Sequence, residues 1–262
     1  MTRARDGLAP ARDGLALVRD GLARALYEAG TILGASPRIA LAVARRRGHG
    51  FPVDARSELL VEGYPRSANS FAVAALARLR PGIRIAHHLH APGHVIAAVR
   101  LGVPALVLIR EPEDAVVELA LLKPALTPAQ MLRGYVRFYE PLERYLERIV
   151  VARTSEVTGD FGVVVGRLNE RFGLGLPAFE HSEEAAAAVH RAIQDVRAGA
   201  VGPGLPLIGR GTASEIGREA ERARLRRAYA GLHPGLRVRA ERLHETFTRG
   251  TTAPPGGRGT RL

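Results

Sequence analysis

The chain of 262 residues carries a formal net charge of +12 and contains neither cysteine nor tryptophan. Without thiols it can form no disulfide, thiolate metal site or cysteine nucleophile, and no uncharged apolar run approaches the ~20 residues of a membrane span. The length suits one α/β domain with appendages. The basic excess raises nucleic acid as a partner, but it lies at the two ends. Residues 1–56 hold ten arginines against five acids, residues 210–262 twelve against five, and residues 57–209 balance at sixteen each. One lysine, Lys123, stands against 37 arginines, a bias that fits the codon choice of a GC-rich bacterial genome. Nucleic acid is therefore not expected as a partner, and with no signal peptide visible a cytoplasmic location is expected.

In chain order, the first segment holds an imperfect heptad repeat, ARDGLAP, ARDGLAL and VRDGLAR. Leu8, Leu15 and Leu22, with Ala11, Val18 and Ala25, mark a thin apolar stripe along a helix, although Gly7, Gly14 and Gly21 each cost about 1 kcal/mol inside one. A marginal amphipathic helix or frayed tail fits better than a coiled coil. The basic amphipathic stretch Ala40–Arg47 gives this N-terminus a weak membrane-surface contact as a further expectation.

From Ser57 the texture changes to alternating apolar runs and helical periodicity. Strands are expected at Glu58–Glu62, Ile83–Leu89, Pro104–Ile109 and Ile149–Arg153, the third an unbroken apolar run suited to burial on both faces. Helices are expected at Ser67–Arg80, Pro92–Leu101, Glu111–Leu122, Thr127–Arg148 (opened by Thr127 and Pro128) and Asp160–Phe172, closed by Gly173. Beyond Pro177, helices are expected at Glu180–Arg197 and Ser214–Gly231, with a Gly/Pro-rich loop over 199–209 between them. The alternation predicts a parallel sheet with helices on both faces. Three parts follow: a basic helical N-terminal extension (1–56), an α/β domain (57–248) with its motifs in 57–173, and a tail (249–262) too rich in Gly and Pro to pack.

Three features carry chemistry. The stretch EGYPRSANSFAV, residues 62–73, joins a strand to a helix. The amides of residues 66–70 are open to an anion there, with Arg66 as a permanent charge. The plainer reading is a strand–turn–helix with Ser67 as N-cap. A Walker lysine is absent, which excludes a P-loop kinase. The second feature is HHLHAPGH, residues 87–94. Strand alternation would turn His88 and His90 to one face and His87 to the other. His88 reads as a general base. A metal site from His88, His90 and His94 lacks supporting carboxylates, so no metal is expected. The third is LVLIREPEDAVVEL, residues 106–119, a buried strand that delivers Arg110 at its carboxyl end. Arg110 faces the same crest as Arg66 and His88, or pairs with Glu111, Glu113 or Asp114.

Taken in order as strand–GYPRSANS–helix, strand–HHLH and strand–IREPEDAVV–helix, these features resemble the sulfotransferase family over about residues 57–173. Those enzymes move a sulfuryl group from 3′-phosphoadenosine 5′-phosphosulfate to an acceptor hydroxyl or amine. The resemblance implies a three-layer P-loop-type parallel sheet flanked by helices, with helical N- and C-terminal appendages. It implies that Arg66, Ser67, Ala68, Asn69 and Ser70 grip the 5′-phosphosulfate and that Phe71 stacks on adenine. Arg110 would hold the 3′-phosphate, with His88 and Arg66 as the catalytic pair and a small molecule or glycan as acceptor. Three positions depart from the family pattern: Glu118 replaces a serine, Ala68 a glycine, and Thr154-Ser155-Glu156 a Tyr-Glu-Asp. Arg210-Gly211 is a candidate for the basic segment that closes over the 3′-phosphate. A non-catalytic nucleotide- or partner-binding relative of the same fold is the alternative, and oligomeric state is not legible.

Overall fold

A computed structural model describes residues 8–48, 50–197 and 215–249. The apolar runs form four parallel strands: β1 (Leu59–Gly63), β2 (Ile85–His87), β3 (Ala105–Ile109) and β4 (Val150–Arg153), in the order β2-β1-β3-β4. β1 therefore lies between β2 and β3, with Val61 level with His87, Gly63 with Leu108, and Ile109 of β3 with Arg153.

Period-two alternation sorts the strand residues into two cores. Leu60, Ala105, Val107, Ile109 and Val151 face helices α4 (Pro92–Leu101), α5 (Pro112–Leu122) and α6 (Pro128–Tyr139). Leu59, Val61, Leu106, Leu108, Val150 and Ala152 face α3 (Asn69–Leu79), α8 (Phe161–Phe172) and α9 (Glu183–Arg197). Every residue of β1 and β3 is buried, and full burial of each leucine is worth about 1.5–3 kcal/mol. The result is the expected three-layer α/β arrangement, a parallel sheet flanked by helices.

The remaining helices are α1 (Leu8–Leu33), α2 (Pro37–Arg47), α7 (Thr154–Gly159), α10 (Glu215–Ala230) and α11 (Pro234–Thr248). α1 lies on α6 and α2 on α4, so both helices meet the sheet's helical layer. α1 is seated through polar groups. Tyr27 reaches over Gly134, where a Cβ would come within 2.3 Å of its hydroxyl, and Glu28 pairs with Arg133 (2.6 Å) and Arg137.

Several expectations are corrected. The long helix over Thr127–Arg148 ends at Tyr139 and continues as a 3₁₀ segment, Glu140–Arg148. Pro141 has no amide for an α-helical bond and its ring crowds the preceding turn. The second strand closes at His87, two residues short of Leu89, because the next amides bond a side chain instead (below). α7 and α11 were not foreseen. In α11, Leu236, Ala240, Leu243 and Phe247 recur at helical spacing, with Ala240, Leu243 and Phe247 buried, but the arginines between them mask the pattern. The 199–209 loop, Arg210-Gly211 and the tail beyond Arg249 lie outside the described residues.

Candidate active site

The strand order brings the carboxyl ends of β1, β2 and β3 side by side, and each delivers one of the three features. After β1, Gly63 runs so close to β3 that a Cβ there would stand 2.5 Å from the Leu108 carbonyl oxygen. Pro65 then starts a turn in which the Ser67 amide donates to the Tyr64 carbonyl (3.2 Å), with Arg66 at φ 74°. Ala68 follows at φ 65°, ψ 23° as the residue that opens α3. Each such left-handed residue with a Cβ costs about 1–2 kcal/mol. The non-glycine residues with positive φ among the described residues are Arg66, Ala68, His88 and His90, all in the two crest loops. Concentrated backbone strain of this kind is typical of ligand sites.

The loop ends on the N-terminus of α3, whose first amides have no partner within the helix. Ser67 and Asn69 are buried; Arg66 Nε and Asn69 Oδ1 have no hydrogen-bond partner among the described residues, and the Ser67 hydroxyl makes no hydrogen bond of ordinary geometry although the Tyr139 phenol lies beside it. Buried polar atoms left in this state cost about 1–3 kcal/mol each, and an anionic ligand offers a way to satisfy the donors among them. Ser67 is not the N-cap: Ala68 occupies that position and supplies no side-chain bond.

Tyrosines of α6 and the loop fix the crest from below. Tyr139 Oη donates to the Leu108 carbonyl (2.7 Å) and accepts from the Tyr64 amide (3.2 Å). Tyr135 Oη donates to the Arg110 carbonyl (2.9 Å). Tyr64 Oη donates to the Met131 carbonyl (2.8 Å), so its contact with Tyr27 Oη (2.9 Å) uses the Tyr27 proton. Burial pushes the phenols of Tyr64, Tyr135 and Tyr139 above their ordinary range, which keeps all three as donors.

Glu62 organises the second loop. Fully buried at the end of β1, it accepts from the amides of Leu89 (2.6 Å), His90 (3.1 Å) and Gly63 (3.3 Å). His94 Nδ1 donates to it as well (2.8 Å), while His94 Nε2 accepts from the Val53 amide (2.8 Å). Burial alone would raise the Glu62 carboxyl, but these donors, led by His94, hold it down at about 2. A carboxylate that accepts several N–H bonds reaches such values. By capturing the two amides, Glu62 ends β2 and turns His88 and His90 into the left-handed region.

That turn corrects the expected alternation. Instead of facing opposite ways, His87 and His88 meet edge to face, with their Nδ1 atoms 2.6 Å apart. His88 Nε2 lies 3.2 Å from Ser70 Oγ, and His90 Nδ1 contacts the Gly63 carbonyl (2.8 Å). Burial lowers the His87 pKa to about 4, so its ring is neutral at pH 7. Among the described residues no three His, Asp or Glu side chains are grouped to hold a metal ion.

Arg110, at the end of β3, donates from Nη1 to the Arg66 carbonyl (3.1 Å) and ties the third feature to the first. Arg66, Ser67, Ala68, Asn69, Ser70, His88 and Arg110 thus come together. The Phe71 ring does not join them. It is buried between α3, α8 and α9, 6.1 Å from Phe161 and 5.5 Å from His190, where its bulk serves the core. Thr154 donates to the Ile109 carbonyl (3.2 Å), and Glu156 pairs with Arg167 (2.9 Å).

Glu118 points into this group from α5. It pairs with Arg66 (3.4 Å) and with Arg222 of α10 (3.1 Å). Burial would raise its carboxyl, but the Arg222 bond and the charges of Arg66 and Arg110 hold it below the usual range. Glu62 lies in EGYPRSANSFAV and His87 and His94 lie in HHLHAPGH, but neither motif pairs them as the structure does, and Arg222 lies in no motif. A local signal for Glu62 is a carboxylate closing the apolar run Leu59–Val61.

No protein-family model matches the sequence, and no curated protein matches it. Among solved structures the chain is similar to that of a mouse sulfotransferase, SULT7A1, complexed with PAP. That likeness has 12% identity and a TM-score of 0.42, over 77% of this chain and 86% of the mouse chain.

Proposed function

We propose that the crest binds 3′-phosphoadenosine 5′-phosphosulfate and that the chain transfers its sulfuryl group to a hydroxyl or amine of a small molecule or glycan. One observation carries the reading. An anion-type loop, an imidazole and a second arginine, each from a different strand, are joined by the His88–Ser70 contact (3.2 Å) and the Arg110–Arg66 bond (3.1 Å). The order and residue types of the three match the sulfotransferase pattern in the sequence.

Bound there, the nucleotide supplies an activated sulfuryl group. The amides opening α3 and the buried Ser67 hydroxyl suit phosphate or sulfate oxygens, and Arg66 and Arg110 offer the positive charge that such a ligand requires. His88 takes the acceptor proton at Nε2. That role requires the proton of its ring to sit on Nδ1, facing His87. A neutral His87 with a free Nδ1 accepts it, which makes His87 a positioning residue for the base.

His88→Ala tests the reading. Transfer from the phosphosulfate to a panel of phenols, amines and sugars should fall at least about 100-fold. Binding of adenosine 3′,5′-bisphosphate should survive, seen as about 2.7 kcal/mol of stabilisation at a hundred times the dissociation constant. Undiminished turnover in the variant overturns the role of His88, and no thermal shift in the native chain at millimolar bisphosphate overturns the donor. The ion pairs of Glu118 with Arg66 and Arg222 favour a second reading, a nucleotide binder without transfer activity. Bisphosphate binding with no transfer to any acceptor would select it.

A further inference from the structure

α1 is built inside out. Its inward face is polar, with Tyr27, Glu28 and Thr31 engaging Tyr64, Arg133 and Arg137, and Arg24 donating to the Ala125 carbonyl (2.7 Å). Its outward face is apolar. Val18, Leu22, Ala25, Ala29, Ile32 and Leu33 fall at helical spacing on one side. Val18 is 71% exposed, Leu22 59% and Ile32 56%. The side chains of Leu8, Ala11 and Leu15, which extend the stripe in sequence, lie outside the described residues. α2 continues the design after three residues. Ile39 and Val43 are exposed, and Arg38, Arg45 and Arg46 are exposed around them.

An exposed apolar stripe of this length marks a contact surface, and its charge identifies what covers it. Between Glu28 and Asp54 the chain holds four arginines and no acid. A second copy docked through α2 about a two-fold axis would set arginine against arginine. An anionic bilayer satisfies both halves: acyl chains accept the leucines and isoleucines, and headgroups accept the arginines. Among the described residues no helix is long and apolar enough to cross a membrane, so the fitting geometry is a helix lying in the interface. We propose that α1 and α2 dock the protein onto an anionic lipid surface with the outward stripe immersed. The proposal stands apart from the sulfuryl-transfer reading and needs no activity for its test.

The test is co-sedimentation of the full chain with vesicles of phosphatidylcholine alone and of phosphatidylcholine with 30% phosphatidylglycerol. Binding to the anionic vesicles is expected, with a weaker signal on the neutral ones. Arg45→Ala with Arg46→Ala should lower the partition coefficient about 30-fold, roughly five-fold per arginine. Leu22→Glu with Ile32→Glu should abolish binding. Both positions are solvent-exposed, and an unchanged circular dichroism melt verifies that the fold survives. Equal binding to both vesicle types, or binding unaffected by the double glutamate variant, overturns the proposal. So does the absence of binding to the anionic vesicles, whatever the mass of the chain. A light-scattering mass of a dimer, halved in the double glutamate variant, would then assign the stripe to a second copy.

Discussion

Glu62→Gln separates a structural carboxylate from an incidental one. The native side chain is buried and accepts four N–H bonds, and its pKa falls from 4.5 to about 2. A depressed carboxyl contributes stability that is fully present above 4.5 and is lost as the pH falls through 2. At about 1.4 kcal/mol for each tenfold change in proton affinity, the fall from 4.5 to about 2 corresponds to about 3 kcal/mol. A glutamine at this site keeps one acceptor oxygen but turns an NH₂ towards groups that are already donors, so the loss at pH 7 is of that order or larger. Urea denaturation of both proteins from pH 7 down to 2.5 measures it. The two stability curves should lie furthest apart above pH 5 and close by about 2.5 kcal/mol by the acid end of that range, the remainder being lost only below pH 2. A constant separation across that range would refute the ionised hub. An unchanged stability at pH 7 would refute the hydrogen-bond geometry itself.

Two further outcomes follow from the crest. Ala68→Gly removes a Cβ from a left-handed residue, which relieves about 1–2 kcal/mol against about 0.4–1 kcal/mol of added freedom in the unfolded chain. A melting temperature raised by a few degrees is expected, and a lower one would contradict the φ of 65°. Glu118→Gln removes the negative charge that Arg66 and Arg222 now neutralise. Calorimetry should show adenosine 3′,5′-bisphosphate binding about ten-fold tighter in this variant, and weaker binding would show that the carboxylate helps to build the site.

The strands were legible because β1, β3 and β4 are short apolar runs that a two-sided core requires. The crest was legible because parallel connectivity places every strand-to-helix turn on the same edge. Thr127 and Pro128 announced α6, and its capping box with Gln130 is formed. What escaped the sequence depends on long separations or on local backbone conformation. Glu118 and Arg222 are 104 residues apart, and no pattern in either helix names the other. The meeting of His87 with His88 follows from a positive φ imposed by Glu62, which periodicity assumes away. The heptads of α1 gave the stripe but not the side on which it lies. Only the polar partners of Tyr27 and Glu28 show that the apolar side faces outward.

The four left-handed side-chain-bearing residues also bear on how the molecule comes apart. Arg66, Ala68, His88 and His90 hold several kcal/mol in two short loops, a debt carried by the buried strands beneath them. When packing in β1 or β3 weakens, the crest has the most to gain by relaxing. A truncation deep in the sheet, such as Leu106→Ala, would therefore register in amide exchange of Tyr64, residues 66–70 and residues 88–90 before the helices flanking the sheet loosen. The part that recognises a ligand doubles as the gauge of the core's integrity.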